Sequence, residues 1–210
     1  MMTTEPRAVH LALPESMSDW ETGHATAHIN KPDWQARPGR YQVVTVGLTD
    51  EPVTTMGGLR VTPDITVDQV EPTDSAMLIL PGSDTWHSAD DTAPFVDLAR
   101  NFLDTGTPVA AICGATYALA AAGLLDERAH TSNDPRYLAM SGYRGGDHYD
   151  TARTAVTDGD LITATATRPV DFAAEIFSKL GLYEPTVLES WLKLYRDNDP
   201  QGFYELMAVQ

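Results

Sequence analysis

The stretch Gly106 to Leu125 constrains the fold more than any other part of the chain. A Gly106-Thr107-Pro108 turn leads into an apolar run, Val109 to Ile112, and Cys113 follows. Gly114 to Ala122 is then almost wholly Ala, Leu, Thr and Tyr, closing at Gly123. A short apolar run after a turn suits a buried strand, and the Ala-rich segment suits a helix with Gly123 as its C′ residue. Cys113 sits between them among small neighbours, Ala111, Gly114 and Ala115. A reactive side chain on a sharp strand-to-helix turn, a nucleophile elbow, requires such neighbours. A helix N-terminus at the sulfur also favours the thiolate. The plain alternative is an inert, buried cysteine, the usual state of a free thiol. The strand, elbow and helix pattern selects the reactive thiol.

Composition excludes several function classes. The chain has 210 residues, the length of one domain or of one domain with a small appendage. Its formal charge of −16 argues against nucleic acid and anionic membrane surfaces. The carboxylates are dispersed, as on a solvated acidic face. No run approaches the length of a membrane span. Met1 to Pro6 lacks the pattern of a secretory signal. A single cysteine forms no internal disulfide, which suits a reducing compartment, so the expectation is a cytoplasmic protein. Neither a phosphate loop nor a dinucleotide fingerprint is present, and no cofactor is expected. His130, Asp147 and His148 fit no metal-ligand spacing, so no metal is expected either.

Elsewhere, apolar strands alternate with helical patterns. Ala8 to Leu13, Tyr41 to Leu48 and Ala76 to Leu80 read as strands. Val53 to Val67, turning at Met56-Gly57-Gly58-Leu59, reads as a small hairpin, as do Thr154 to Val156 with Leu161 to Ala166. Helices are expected at Asp19 to Asn30, Asp91 to Asp104, near Asp134 to Met140, at Val170 to Gly181, and twice in the tail after Pro185. Arg128 to Ser132 reads as a short extended piece. This alternation means an α/β fold with a mostly parallel sheet covered on both faces. Ligands in such sheets bind at the carboxyl ends of the strands. There the Pro81-Gly82-Ser83 turn brings backbone N–H groups beside Cys113. Glu21 either serves only the dipole of its helix's first turn or faces this same edge.

Together these pieces resemble the DJ-1/PfpI family of the class I glutamine amidotransferase-like superfamily. The matching landmarks are Asp19-Trp20-Glu21, Leu80-Pro81-Gly82, Ala110 to Ala115, His130-Thr131-Ser132-Asn133, and Val156 to Ala164 leading into the Phe172 helix. The resemblance implies a flavodoxin-like three-layer α/β/α sandwich over residues 1–183, usually as a homodimer, with 184–210 as a helical extension packed on the same domain. By the same resemblance Cys113 is the nucleophilic, oxidation-sensitive cysteine. Glu21 is the carboxyl that hydrogen-bonds it, and the N–H groups of Gly82 and Gly114 form the oxyanion hole. Trp86 and Tyr117 are candidate pocket residues. Many members carry a His directly after the cysteine, where this chain has Gly114. Others carry one at the end of the post-elbow strand, where this chain reads Ser132-Asn133. His130, two residues earlier, shares a strand face with that position and is the candidate base. The region where amidotransferases place His-Pro-Glu holds no His, which disfavours glutamine hydrolysis.

Three functions compete at this stage. One is a cysteine-dependent hydrolase, glyoxalase-type lyase or hydratase acting on a small carbonyl or amide-like substrate. Another is a redox-sensing or stress-protective protein in which Cys113 is oxidised to sulfinate. The third is a binding module with a vestigial site.

Overall fold

A computed structural model describes residues 5–209. Residues 1–4, which carry most of the N-terminal reading, and residue 210, the end of the helical extension, lie outside it. Among the described residues no helix is long and apolar enough to cross a membrane.

The element order is β1 (Arg7–Ala12), α1 (Asp19–Asn30), β2 (Tyr41–Gly47), β3 (Val53–Thr54), β4 (Arg60–Val61), β5 (Ile65–Thr66), β6 (Ser75–Leu80), α2 (Ala89–Asp104), β7 (Val109–Ile112), α3 (Gly114–Ala121), α4 (Pro135–Ala139), β8 (Ala155–Asp158), β9 (Leu161–Ala164), α5 (Pro169–Leu180), α6 (Pro185–Tyr195) and α7 (Gln201–Met207). Seven strands form one sheet in the order β5-β2-β1-β6-β7-β9-β8. All neighbours are parallel except β8, which runs antiparallel to β9. The fold is the mixed α/β, mostly parallel architecture expected.

The apolar runs follow from this arrangement. On β6, Met77 and Ile79 pack with Phe172, Phe177 and Trp191 on one face, while Leu78 and Leu80 pack with Phe95 and Phe102 on the other. On β7, Ala110 and Ile112 take the first face and Val109 and Ala111 the second. A central parallel strand is buried on both sides, so the residues on both of its faces are apolar and the run is continuous. The registers Leu80↔Ala111 and Ile112↔Ala164 bring the ends of β6, β7 and β9 to one edge.

Two local readings change. Ile65–Thr66 leaves the hairpin and pairs in parallel with β2, so the hairpin proper is only β3 with β4. The tail helices close over the first core face: Trp191 is 0% exposed, beside Phe177 and Leu206. His28 of α1 accepts a hydrogen bond from Trp191 Nε1 (3.2 Å), and its Nδ1 lies 2.9 Å from the Tyr183 hydroxyl.

Candidate active site

The site forms where the loops after β1 and β6 are stitched together. Ser18 N–H donates to the Gly82 carbonyl (2.8 Å), and Met17 pairs with Ser83 in an isolated bridge. This fixes the start of α1 at the carboxyl edge of the sheet and turns Glu21, in its first turn, inward. Glu21 is 0% exposed. Its Oε2 accepts the Gly82 N–H at 2.5 Å, and Oε1 has no nitrogen or oxygen partner among the described residues.

Cys113 stands on the turn from β7 to α3 with φ 59° and ψ −125°. This backbone conformation is strained for a residue with a side chain, as a nucleophile elbow requires. Its N–H donates to Ala164 O of β9 (3.1 Å), and its carbonyl accepts from Thr116 Oγ1 (2.6 Å). Glu21 and Cys113 face each other across Gly82. A Cβ on residue 82 would lie 2.6 and 2.8 Å from the Glu21 oxygens and 2.8 Å from Cys113 Cβ. Only glycine fits between them.

Asn133 supplies a contact that the sequence reading did not assign. Its Nδ2 donates to Cys113 Sγ at 3.3 Å, and its Oδ1 accepts the Ala166 N–H at 2.9 Å. That backbone donor sets the orientation of the amide, so the NH2 end must face the sulfur. The signal available was the Ser132-Asn133 pair at the position where relatives place a histidine.

His130 is placed differently from the expectation. It is 0% exposed and sits edge-on to Tyr143 and Tyr149. Nδ1 lies 2.7 Å from the Arg128 carbonyl and Nε2 3.1 Å from the Tyr143 hydroxyl. A carbonyl can only accept, so Nδ1 carries the proton and Nε2 takes the phenol's hydrogen. Burial lowers the pKa and holds the ring neutral. Both nitrogens are engaged away from the thiol because His130 bridges to Tyr149, which turns its face toward the 143–149 loop.

The electrostatics also differ from the sequence reading. The Cys113 thiol is pushed up to about 11, first by burial and then by the charge of Glu21. The Asn133 amide and the Gly114 N–H oppose this without cancelling it. The helix N-terminus therefore does not yield a resting thiolate. Burial also raises Glu21, against the opposing hydrogen bonds from Gly82, Cys113 and Ser18. Two acids in one poorly solvated site resist losing both protons.

Of the expected oxyanion pair, the Gly82 N–H is already donated to Glu21, and the Gly114 N–H is the backbone donor at the sulfur. Trp86 is a core residue, 2% exposed, with Nε1 bonded to Pro81 O at 2.7 Å. Tyr117 lies against His87, with ring centroids 4.5 Å apart. Both Trp86 and Tyr117 line an apolar groove of about 360 Å³ between α2 and α3, beside the elbow.

The geometry places a cysteine thiol, a buried carboxyl and a donor amide together at the carboxyl edge of a parallel sheet. The chain as a whole is similar to known proteins. A Bacillus subtilis protein named "Uncharacterized protease YoaZ" is 40% identical, the match covering 97% of each chain. A solved thiJ/pfpI family protein from Bacillus anthracis superposes with a TM-score of 0.89 at 37% identity, covering 99% of each chain. The Escherichia coli protein/nucleic acid deglycase 2 is 32% identical over 56% of this chain and 66% of its own length. The DJ-1/PfpI family profile matches residues 7–179, and the chain belongs to the DJ-1/PfpI family.

Proposed function

We propose that the chain is a cysteine-dependent enzyme that attacks the carbonyl carbon of a small aldehyde, 2-oxo or amide-like compound. One observation carries the reading: the buried Glu21 carboxyl faces Cys113 across Gly82 with an oxygen that has no nitrogen or oxygen partner among the described residues. The Asn133 amide on the other side of the sulfur holds no basic nitrogen, so Glu21 is the group able to take the thiol proton. Its raised pKa suits that task, because a stronger base sits closer to the acid it must deprotonate. As the S–H proton passes to Glu21, the thiolate adds to the carbonyl carbon and the π pair moves to oxygen. The Gly114 N–H, the backbone donor at the sulfur, is the N–H group at hand for the developing negative charge. The names of the relatives, a protease and a deglycase, agree with a hydrolytic outcome at such a carbon.

The redox-sensor reading has less support, because the species that peroxide oxidises is the thiolate, and burial suppresses it here. The test is turnover of methylglyoxal and of a panel of small amides and esters by the intact chain and by Cys113→Ala. The proposal expects activity in the first and none in the second. Equal rates in both would refute it.

A further inference from the structure

In the carbonyl addition above, the new alkoxide can take its proton from a group other than Glu21 while Glu21 holds the thiol's proton. The chain has six histidines. His10 stands edge-on to Phe102, and His24 and His28 pack on Trp191. His130 is held by Arg128 and Tyr143, and His148 sits beside it with its carbonyl accepting the His130 N–H. His87 is different. It is exposed, lies on the turn that follows Gly82, and its Nε2 is 3.3 Å from the Tyr137 hydroxyl.

Tyr137 belongs to the elbow's surroundings on two counts. Its ring lies 5.3 Å from that of Tyr117, one helical turn past Cys113. It also stands four residues after Asn133, whose amide touches Sγ. Burial, and after it the charge of Cys113, pushes the Tyr137 phenol up to about 12.

We propose that His87, positioned on the Tyr137 hydroxyl, forms the proton relay that connects this site to solvent. The assignment rests on the carbonyl reading above. In the addition step the C–S bond forms, the carbonyl π bond breaks and its electron pair moves to oxygen. That oxygen takes the Tyr137 proton, Tyr137 takes the proton of His87 Nε2, and bulk water reprotonates the exposed ring. The relay fills the role left open by Gly114 and by the turned-away His130. The groups facing His87 are Tyr117 from α3, Tyr137 from α4, and Asp97 and Arg100 of α2 across the shared groove, with Asp84 on its own turn.

The experiment compares methylglyoxal turnover across pH for the wild type, Tyr137→Phe, His87→Gln and the double variant, alongside iodoacetamide alkylation of Cys113 in each. The relay passes through the His87 ring, so the pH profile of kcat should differ between the wild type and His87→Gln. Each single variant is expected to lose about tenfold or more in kcat. The double variant should be no slower than the worse single one, since both act in one chain of transfers. Alkylation should stay within about twofold throughout, which separates relay loss from damage to the thiol. If the wild type turns over and both single variants match it in rate and pH profile, or if the losses multiply in the double variant, the relay is wrong and the carbonyl reading stands. A wild type inert toward every carbonyl substrate sinks both.

Discussion

The Gly82 N–H donates to Glu21 Oε2 at 2.5 Å, and the same glycine separates that carboxyl from Cys113 Cβ. One residue thus holds the acid in place and sets its distance from the nucleophile. Gly82→Ala puts a methyl group into both neighbours. Overpacking of this kind costs about 1–3 kcal/mol. The expected result is a folded but destabilised protein with almost no turnover, checked by thermal melting and a substrate assay. A Gly82→Ala chain with wild-type kcat would contradict this geometry.

Burial and Glu21 together hold Cys113 as a thiol near neutrality. Its alkylation by iodoacetamide should therefore keep accelerating through pH 9, above the pKa of about 8.5 of a free cysteine. A rate that levels off by pH 7 is the contrary result.

Glu21→Gln preserves an acceptor for the Gly82 N–H but removes the base and the charge. Turnover should fall about a hundredfold or more, while the alkylation profile of Cys113 moves to lower pH. Stability should change in the opposite sense. The folded-state pKa of Glu21 is raised, so the native state holds its proton longer than the unfolded chain does. Stability is therefore lost as pH rises above the unfolded carboxyl value. Glu21→Gln should therefore raise the melting temperature more at pH 8 than near pH 4. Differential scanning calorimetry at the two pH values reads this directly.

His28 gives the reverse dependence. Its pKa is lowered to about 4, chiefly by burial among Trp34, Phe177, Tyr183 and Trp191. The unfolded chain binds the proton first, so stability falls as pH drops from about 6.5 toward 4. The loss is of order 2 kcal/mol, and chemical denaturation at pH 7 and pH 4.5 measures it. His28→Leu should flatten this segment of the profile, even though it costs stability at pH 7 through the Trp191 and Tyr183 hydrogen bonds.

Truncation after Glu184 removes Trp191, Val187 and Leu206 from the shared core. Losing one large buried aromatic costs about 3–5 kcal/mol, a sizeable part of a domain's whole margin. The shortened chain should appear as an unfolded or aggregated species in circular dichroism and sedimentation. A cooperative melt in that chain would show the extension to be dispensable.

The sheet was legible because β6 and β7 are continuous apolar runs, a pattern with few solutions once helices alternate with strands. The elbow was legible because small neighbours on both sides of one cysteine are a steric requirement written in consecutive residues. The surroundings of the sulfur were not. Alternation could place His130 and Ser132 on one face but could not say which way that face turns, and the bridge to Tyr149 decides it. Asn133 reaches Sγ only because Ala166, 33 residues later, supplies the N–H that orients it. The direction of the Gly82 N–H likewise depends on the docking of α1, a long-range event with no local signature. The thiol's pKa was misjudged because a helix end can be read in sequence, whereas burial cannot.

A Cβ on residue 114 would lie 3.0 Å from Trp86 Cδ1 and 3.1 Å from the Ser83 carbonyl. A side chain directly after Cys113 therefore needs both Trp86 and the Ser83 carbonyl to give by a few tenths of an ångström. Shrinking Trp86 alone would leave a void against Phe95, since the two rings are in contact. The residue after the cysteine and the ring at position 86 thus share one space, and a substitution at either changes the cost of a substitution at the other.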